Sequence, residues 1–236
     1  MSIFKKKDKN ESQEQPQPPV TETPTPTPSE DSEEFCTDGW KAIEETFLKK
    51  YPDQTNPLHM ASIIKWCLGG NDPLDGISIY DGGDYFHFVT FGLSELYEKE
   101  CEDLEYSGYG FELTMKLRKE GLEDEDKEIR GICGILQAIA RITFTEGDIF
   151  QPNEYIYTGQ TAGMDAHSKS MLTGFVTKLD EMGEIDTPNG KVQFVQLIGA
   201  TDAELKSIME KKFTVVQVQE QIGTELTDYT RGMFLT

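Results

Sequence analysis

Nowhere in the chain do some 18 apolar residues run together, so no segment reads as a helix long enough to span a bilayer. The four cysteines, Cys36, Cys67, Cys101 and Cys133, form no CxxC pair, which excludes the usual zinc and dithiol motifs and fits reduced, intracellular chemistry. HExxH, GxxxxGK[ST] and a GxGxxG following a strand are all absent, so neither a zinc protease nor a nucleotide cradle is expected. Basic residues are scarce as well: 22 Lys and Arg stand against 43 Asp and Glu, a net charge of −21. That excess repels nucleic acid and anionic membranes, because binding either needs cations to displace counterions, and it suits a basic protein partner. The opening MSIFKKKDKNE carries the positive start of a secretory leader without the apolar stretch that must follow. A cytoplasmic location is therefore expected.

What is present falls into two parts. Residues 1–34 contain QPQPPVTETPTPTPSEDSEE, a run of Pro, Thr, Glu and Ser with little to bury. Such a segment cannot offset its ordering entropy and reads as a disordered, partly polyproline-like tail. That tail holds four Lys and eight Asp or Glu, which leaves 18 basic against 35 acidic residues, a net −17, for residues 35–236. This remainder carries nearly all of the 13 Phe, nine Tyr and two Trp, enough bulk for one full core.

Periodicity supplies the elements. Trp40, Ile43, Phe47 and Leu48 repeat at helical spacing behind a candidate cap at Asp38, and Pro52 closes that helix. The segment from Met60 to Leu68 reads as a short helix or a strand. ISIYD and YFHFVTF, split by Gly82-Gly83, predict a hairpin, and FELTMKLR, apolar at alternate positions from Phe111, predicts a strand with one buried face. Ile129, Ile132, Cys133, Leu136, Ile139, Ala140 and Phe144 predict a central helix over 126–144. Strands are expected at 171–179 and 191–198, joined through IDTPNG, and a capping box at Thr201 and Glu204 opens a further helix. The stretch from Val215 to about Leu226 fits helix or strand equally. With no repeat and no second apolar block, the class is α+β, a single domain of mixed sheet with packed helices.

Sites of chemistry are sparse. His87, inside YFHFV, would need Asp81 or Asp84 as an acid/base partner, and no Ser or Cys nucleophile has a recognisable setting beside it. A hydrolase centred on His87 is thus the third reading, behind a structural histidine. Asp72, Asp75, Asp81 and Asp84 lack EF-hand spacing and fit turns better than calcium. No cofactor or metal is expected, nor enzymatic activity.

Five strings agree in order and spacing: GWKAIEETFLKKYPDQTNPLH, LGGNDPLDGISIY, HFVTFGLSELYEKE, SGYGFELTMKL and IDTPNGKVQFVQLIGATDAELK. Together they resemble the suppressor of fused domain over about 39–232, and within it the N-terminal lobe of two-lobed animal members. The resemblance implies a non-enzymatic protein-binding domain. Animal members hold zinc-finger transcription factors of the Hedgehog pathway by clamping an extended peptide; stand-alone bacterial members have been proposed as immunity proteins that neutralise toxins. Two peptide-contacting positions carry over within ARITFTEGDIFQPNEYIY: Ile142 takes the place of a tyrosine and Glu154 that of an aspartate. The expectation is an immunity protein occluding a basic toxin through the aromatic strands, with Tyr80, Tyr85, His87, Ile142 and Glu154 as contacts. The alternative is an adaptor or regulator that captures an extended peptide by adding it to a sheet edge.

Overall fold

A computed structural model describes residues 36–64 and 66–232, without the side chain of Cys67. The tail expected over 1–34 lies outside the described residues. Phe35–Thr236 form one compact unit. Its elements in order are α1 (Asp38–Lys50), β1 (Leu58–Ala61), a 3-10 turn (Trp66–Leu68), β2 (Gly76–Asp81), β3 (Tyr85–Phe91), β4 (Tyr106–Arg118), α2 (Glu125–Glu146), β5 (Tyr155–Ile156), β6 (Leu172–Thr187), β7 (Gly190–Thr201), α3 (Asp202–Met209) and α4 (Val215–Ile222). The seven strands make one mixed sheet in the order β1-β2-β3-β4-β7-β6-β5. β4 and β7 pair in parallel and the other neighbours are antiparallel.

α2 covers one face. Its Ile129, Ile132, Leu136, Ile139 and Ala140 pack on Ile77, Ile79, Phe88, Leu113, Met115, Leu117, Val195 and Leu197, the alternate residues that a pleated strand sends to a single side. Burying a side chain such as Phe88 or Leu113 contributes about 1.5–3 kcal/mol. On the opposite face α1 buries Ile43, Phe47 and Tyr51 against Tyr80, Val89, Phe91 and Phe194. α3 and α4 cover Val176, Ile198 and Ala200, which by strand alternation share the α1 side with Phe194. Helix ends follow local chemistry. Asp124 caps α2 by accepting from the Lys127 N–H, and Gly147 ends it at φ 79°, where only glycine is unstrained.

Three expectations are corrected. Asp38 does not cap α1; Thr37 occupies that position without a side-chain bond, and Asp38 opens the helix, where its charge favours the dipole. Met60–Leu68 is divided between β1 and the 3-10 turn. β4 is buried on both faces, since Glu112, Thr114 and Lys116 are as enclosed as Phe111, Leu113 and Met115; polar residues look solvent-facing in sequence unless their partners are known. The ambiguous final stretch is helical over Val215–Ile222, with a capping box of Thr214 and Gln217 at its start and Gly223 in the left-handed conformation at its end.

A buried polar network and an open sheet edge

Between the apolar patches under α1 and those under α3 and α4 runs a belt of polar side chains. His87 on β3 is wholly enclosed, as is Asp180 on β6, and His87 Nε2 lies 3.2 Å from Asp180 Oδ2. Tyr51 Oη is 2.9 Å from His87 Nδ1 and 3.2 Å from Tyr85 Oη. With Asp180 ionised, the ring carries its proton on Nε2, and Nδ1 accepts from the Tyr51 hydroxyl. Thr114 Oγ1 donates to the same Asp180 oxygen at 2.9 Å, and the Met182 N–H donates to Oδ1 at 2.9 Å. Burial alone would raise the Asp180 pKa, but His87, Lys116 and the Met182 N–H outweigh it and hold the group down at about 2. Burial lowers the His87 pKa, with Asp180 only partly opposing it, so the imidazole is neutral.

The belt continues outward through Lys116, which lies 2.7 Å from Glu181, 3.4 Å from Glu225 and 3.9 Å from Asp180. Lys50 of α1 pairs with Glu181 and Lys178 with Glu225. These contacts bind α1, β3, β4, β6 and the segment after α4 into one unit. His87 is therefore not paired as the hydrolase reading required. Asp81 is engaged by the Gly83 N–H at 2.7 Å and by Lys119 at 2.6 Å, and Asp84 faces Arg118. Phe47 and Tyr51 pack their rings against the His87 imidazole. Among the described residues, no group of three or more His, Cys, Asp or Glu side chains is arranged to hold a metal ion.

Glu112 is a second fully enclosed carboxylate on the α1 side. Oε1 accepts from the Gly92 N–H (3.0 Å), the Ser94 N–H (2.9 Å) and the Ser94 hydroxyl (2.7 Å), and Oε2 accepts from Thr90 (2.5 Å). Burial raises its pKa to about 7, against the pull of these four donors. A raised folded-state pKa means that this contribution is fully present below the unfolded value of 4.5 and is lost as pH rises to about 7. At about 1.4 kcal/mol per pH unit, the stability of Glu112→Gln relative to the native chain should rise by roughly 3 kcal/mol between those limits and then level off. Urea titrations at several pH values read this directly, and a flat difference would refute it.

The segment after α4 is laid into the sheet. Thr227 bridges Leu117 in parallel; its N–H donates to Lys116 O (2.7 Å), its carbonyl accepts from the Arg118 N–H (2.9 Å), and its hydroxyl accepts from the Gly199 N–H (2.9 Å). It thus wedges between β4 and β7 where their own pairing ends. Arg231 locks it: Nη1 is 2.5 Å and Nη2 3.0 Å from the two Glu204 carboxylate oxygens, and Nη2 also donates to Gly199 O at 2.7 Å.

The contact residues expected from sequence separate into two groups on different parts of the sheet. Tyr80 and His87 are enclosed beneath α1, with Tyr80 stacked on Phe47 and Tyr51; neither offers surface while α1 stays docked. Tyr85, at the same end, is half-buried. Ile142 and Glu154 both lie toward the β5 end of the sheet. Ile142 lines a cleft of about 660 Å³ with Ile139, Ile156, Tyr157, Met164 and Phe175. Glu154 directly precedes β5, its carboxylate accepting from the Gln151 N–H at 2.9 Å. Among the described residues β5 pairs only with β6, which makes it the end of the sheet. Tyr155 of β5 and Tyr157 just after it are exposed, as is Ile149 in the loop before the strand, and so are Glu146, Asp148 and Glu154.

A model of the suppressor of fused protein family (SUFU) matches residues 70–232. The chain belongs to the suppressor of fused family. The suppressor of fused homologs of Homo sapiens and Mus musculus are each 30% identical over 185 residues, covering 73% of this chain and 37% of theirs. The chain thus spans little more than a third of the curated relatives it matches. The crystal structure of Drosophila Suppressor of Fused superposes with a TM-score of 0.72 at 30% identity, over 84% of this chain and 51% of that one. A chain of the Sufu-Fu complex crystal structure gives the same score and identity over 84% of this chain and 92% of its own. The family fold is therefore the seven-stranded mixed sheet with packed helices described above. Asp180, 93 residues from its partner His87, was not anticipated, because it falls just past the strand expected over 171–179, whereas β6 continues to Thr187. Among the described residues no helix is long and apolar enough to cross a membrane.

Proposed function

We propose that this domain is a non-catalytic, intracellular protein-binding module that seats an extended segment of a basic partner along the β5 edge, and that it serves as an immunity protein occluding a toxin. The observation that carries the reading is the juxtaposition at that edge. Among the described residues strand β5 pairs on one side alone, an uncharged cleft beside it can take a bulky apolar side chain, and three exposed carboxylates, Glu146, Asp148 and Glu154, lie in the segment leading into the strand. Among the described residues no cation is paired with Glu146, Asp148 or Glu154, so their charge is available to a cationic chain. The net −21 of the protein would speed that encounter and make it salt-sensitive. A toxin that holds phosphates must itself be positive, which suits this surface.

Co-expression with the product of the adjacent gene tests it. Binding should fall about a hundredfold in Ile142→Asp, which places a charge in the cleft, and about tenfold in Glu154→Lys, each step of ten being about 1.4 kcal/mol. Affinity should also fall as salt rises. Capture that is unaffected by both variants would refute the β5 site. A second reading, an adaptor or regulator, is favoured by one specific finding, a relative crystallised in the Sufu-Fu complex. It would use the same edge without protecting cells from the partner, and a growth assay separates the two.

A further inference from the structure

The opposite edge of the sheet carries a patch that neither the fold nor the proposed function uses. From Gln54 to Ile64 the chain has no charged residue, although charged residues make up 28% of the whole. β1, within this stretch, is the other end of the sheet and among the described residues pairs only with β2. Edge strands ordinarily carry lysines, prolines or bulges that discourage pairing with another chain; LHMA has none. Just beyond it Ile63 is 100% exposed and Ile64 57%, with Leu58 and Leu68 also in solvent. A scattered exposed leucine needs no explanation, but a cluster of this kind marks a contact surface.

Next to this ridge is a hollow. A cleft of about 450 Å³ between the 60–64 segment and α2 is lined by Met60, Ile77, Cys133 and Gly134, and on one side by Ile63 and Ile64 themselves. Gly134 lies in the exposed middle of α2, and a Cβ placed there would meet nothing within 4 Å. The fold does not require glycine at that position, where it costs about 1 kcal/mol of helix stability relative to alanine. Close approach by a second chain would require it. The charged side chains lining the cleft are Asp72 and Arg141, which neutralise each other at 3.3 Å. The described residues of the patch are thus electrically neutral in a protein of charge −21.

We propose that this face is a homodimer interface, in which Ile63 and Ile64 of each copy enter the hollow over Gly134 of the other and the β1 edges meet. A two-fold contact needs its knob and its hole on one patch, and both are present here. Charge selects the occupant. Two copies of so acidic a chain repel wherever their carboxylates face each other, and this neutral face lets them approach without that repulsion; a basic partner would gain nothing from it. The expected association is weak, in the micromolar range.

Sedimentation of the full chain between about 1 and 300 µM tests this. The native protein should shift from monomer to dimer across that range. Ile63→Lys with Ile64→Lys should weaken association at least tenfold, and so should Gly134→Leu, which fills the hollow. Gly134→Leu adds a good helix former at an open site, so its melting temperature should be unchanged or higher, which separates lost contact from lost folding. A native chain that stays monomeric throughout, or a dimer indifferent to both variants, would overturn the proposal. Neither result bears on β5, because no partner is present.

Discussion

Asp180→Ala should lower the free energy of unfolding by about 3–5 kcal/mol, the cost of leaving two buried donors without an acceptor and of taking one carboxylate from the buried Lys116 network. His87 loses the acceptor for its Nε2 proton, Thr114 loses the acceptor for its hydroxyl, and Lys116 keeps only the half-exposed Glu181 and Glu225. The effect should exceed that of Asp180→Asn, which retains an oxygen for Thr114 and His87 but no charge for Lys116. In a domain stabilised by about 5–15 kcal/mol, the alanine change approaches global unfolding. Urea denaturation followed by circular dichroism measures it. A loss under about 1 kcal/mol would mean that water solvates the network and that α1 is held by apolar packing alone.

Arg231→Met should cost a similar amount, about 3–5 kcal/mol, for the same physical reason at a different place. Glu204, in the first turn of α3, would remain buried with a carboxylate that still accepts from the Thr201 N–H at 2.8 Å but has lost the Arg231 guanidinium. The Gly199 carbonyl would lose its donor as well. The segment around Thr227 keeps its main-chain bonds to Lys116 and Arg118, the Gly199 contact and the Arg118–Asp228 pair, but loses its tie to α3. Hydrogen exchange at the Thr227 and Arg118 amides should accelerate more than at the centre of β4. Uniform acceleration at every amide would show that the segment unfolds only with the whole domain.

Most of the fold was legible because local pattern and tertiary structure agree in it. ISIYD and YFHFVTF flank a glycine turn and pair as read, and the three-and-four spacing from Ile129 to Phe144 is the α2 stripe that covers the sheet. The α+β class followed from the same patterns. The failures lie where polar residues are buried. Glu112, Thr114 and Lys116 alternate with apolar neighbours as an exposed face would, and nothing in the local sequence says that Ser94, Asp180 and Glu225 come from distant segments to satisfy them. The same blindness placed His87 and Tyr80 among contact residues, since an aromatic strand looks alike whether a helix or a partner covers it. Ile142 and Glu154 were reached through resemblance; Ile142 lines the cleft beside β5 and Glu154 directly precedes that strand.

The central claim is that a partner chain adds to the sheet at β5. Amide hydrogen exchange of the protein alone and bound to the partner with which it co-purifies tests it most directly. The account predicts slowed exchange across residues 154–158 and in the 157–164 loop, with β2 and β3 beneath α1 unchanged. Unaltered exchange at β5, with new protection confined to the acidic 98–105 segment or to the β1 edge, would contradict it.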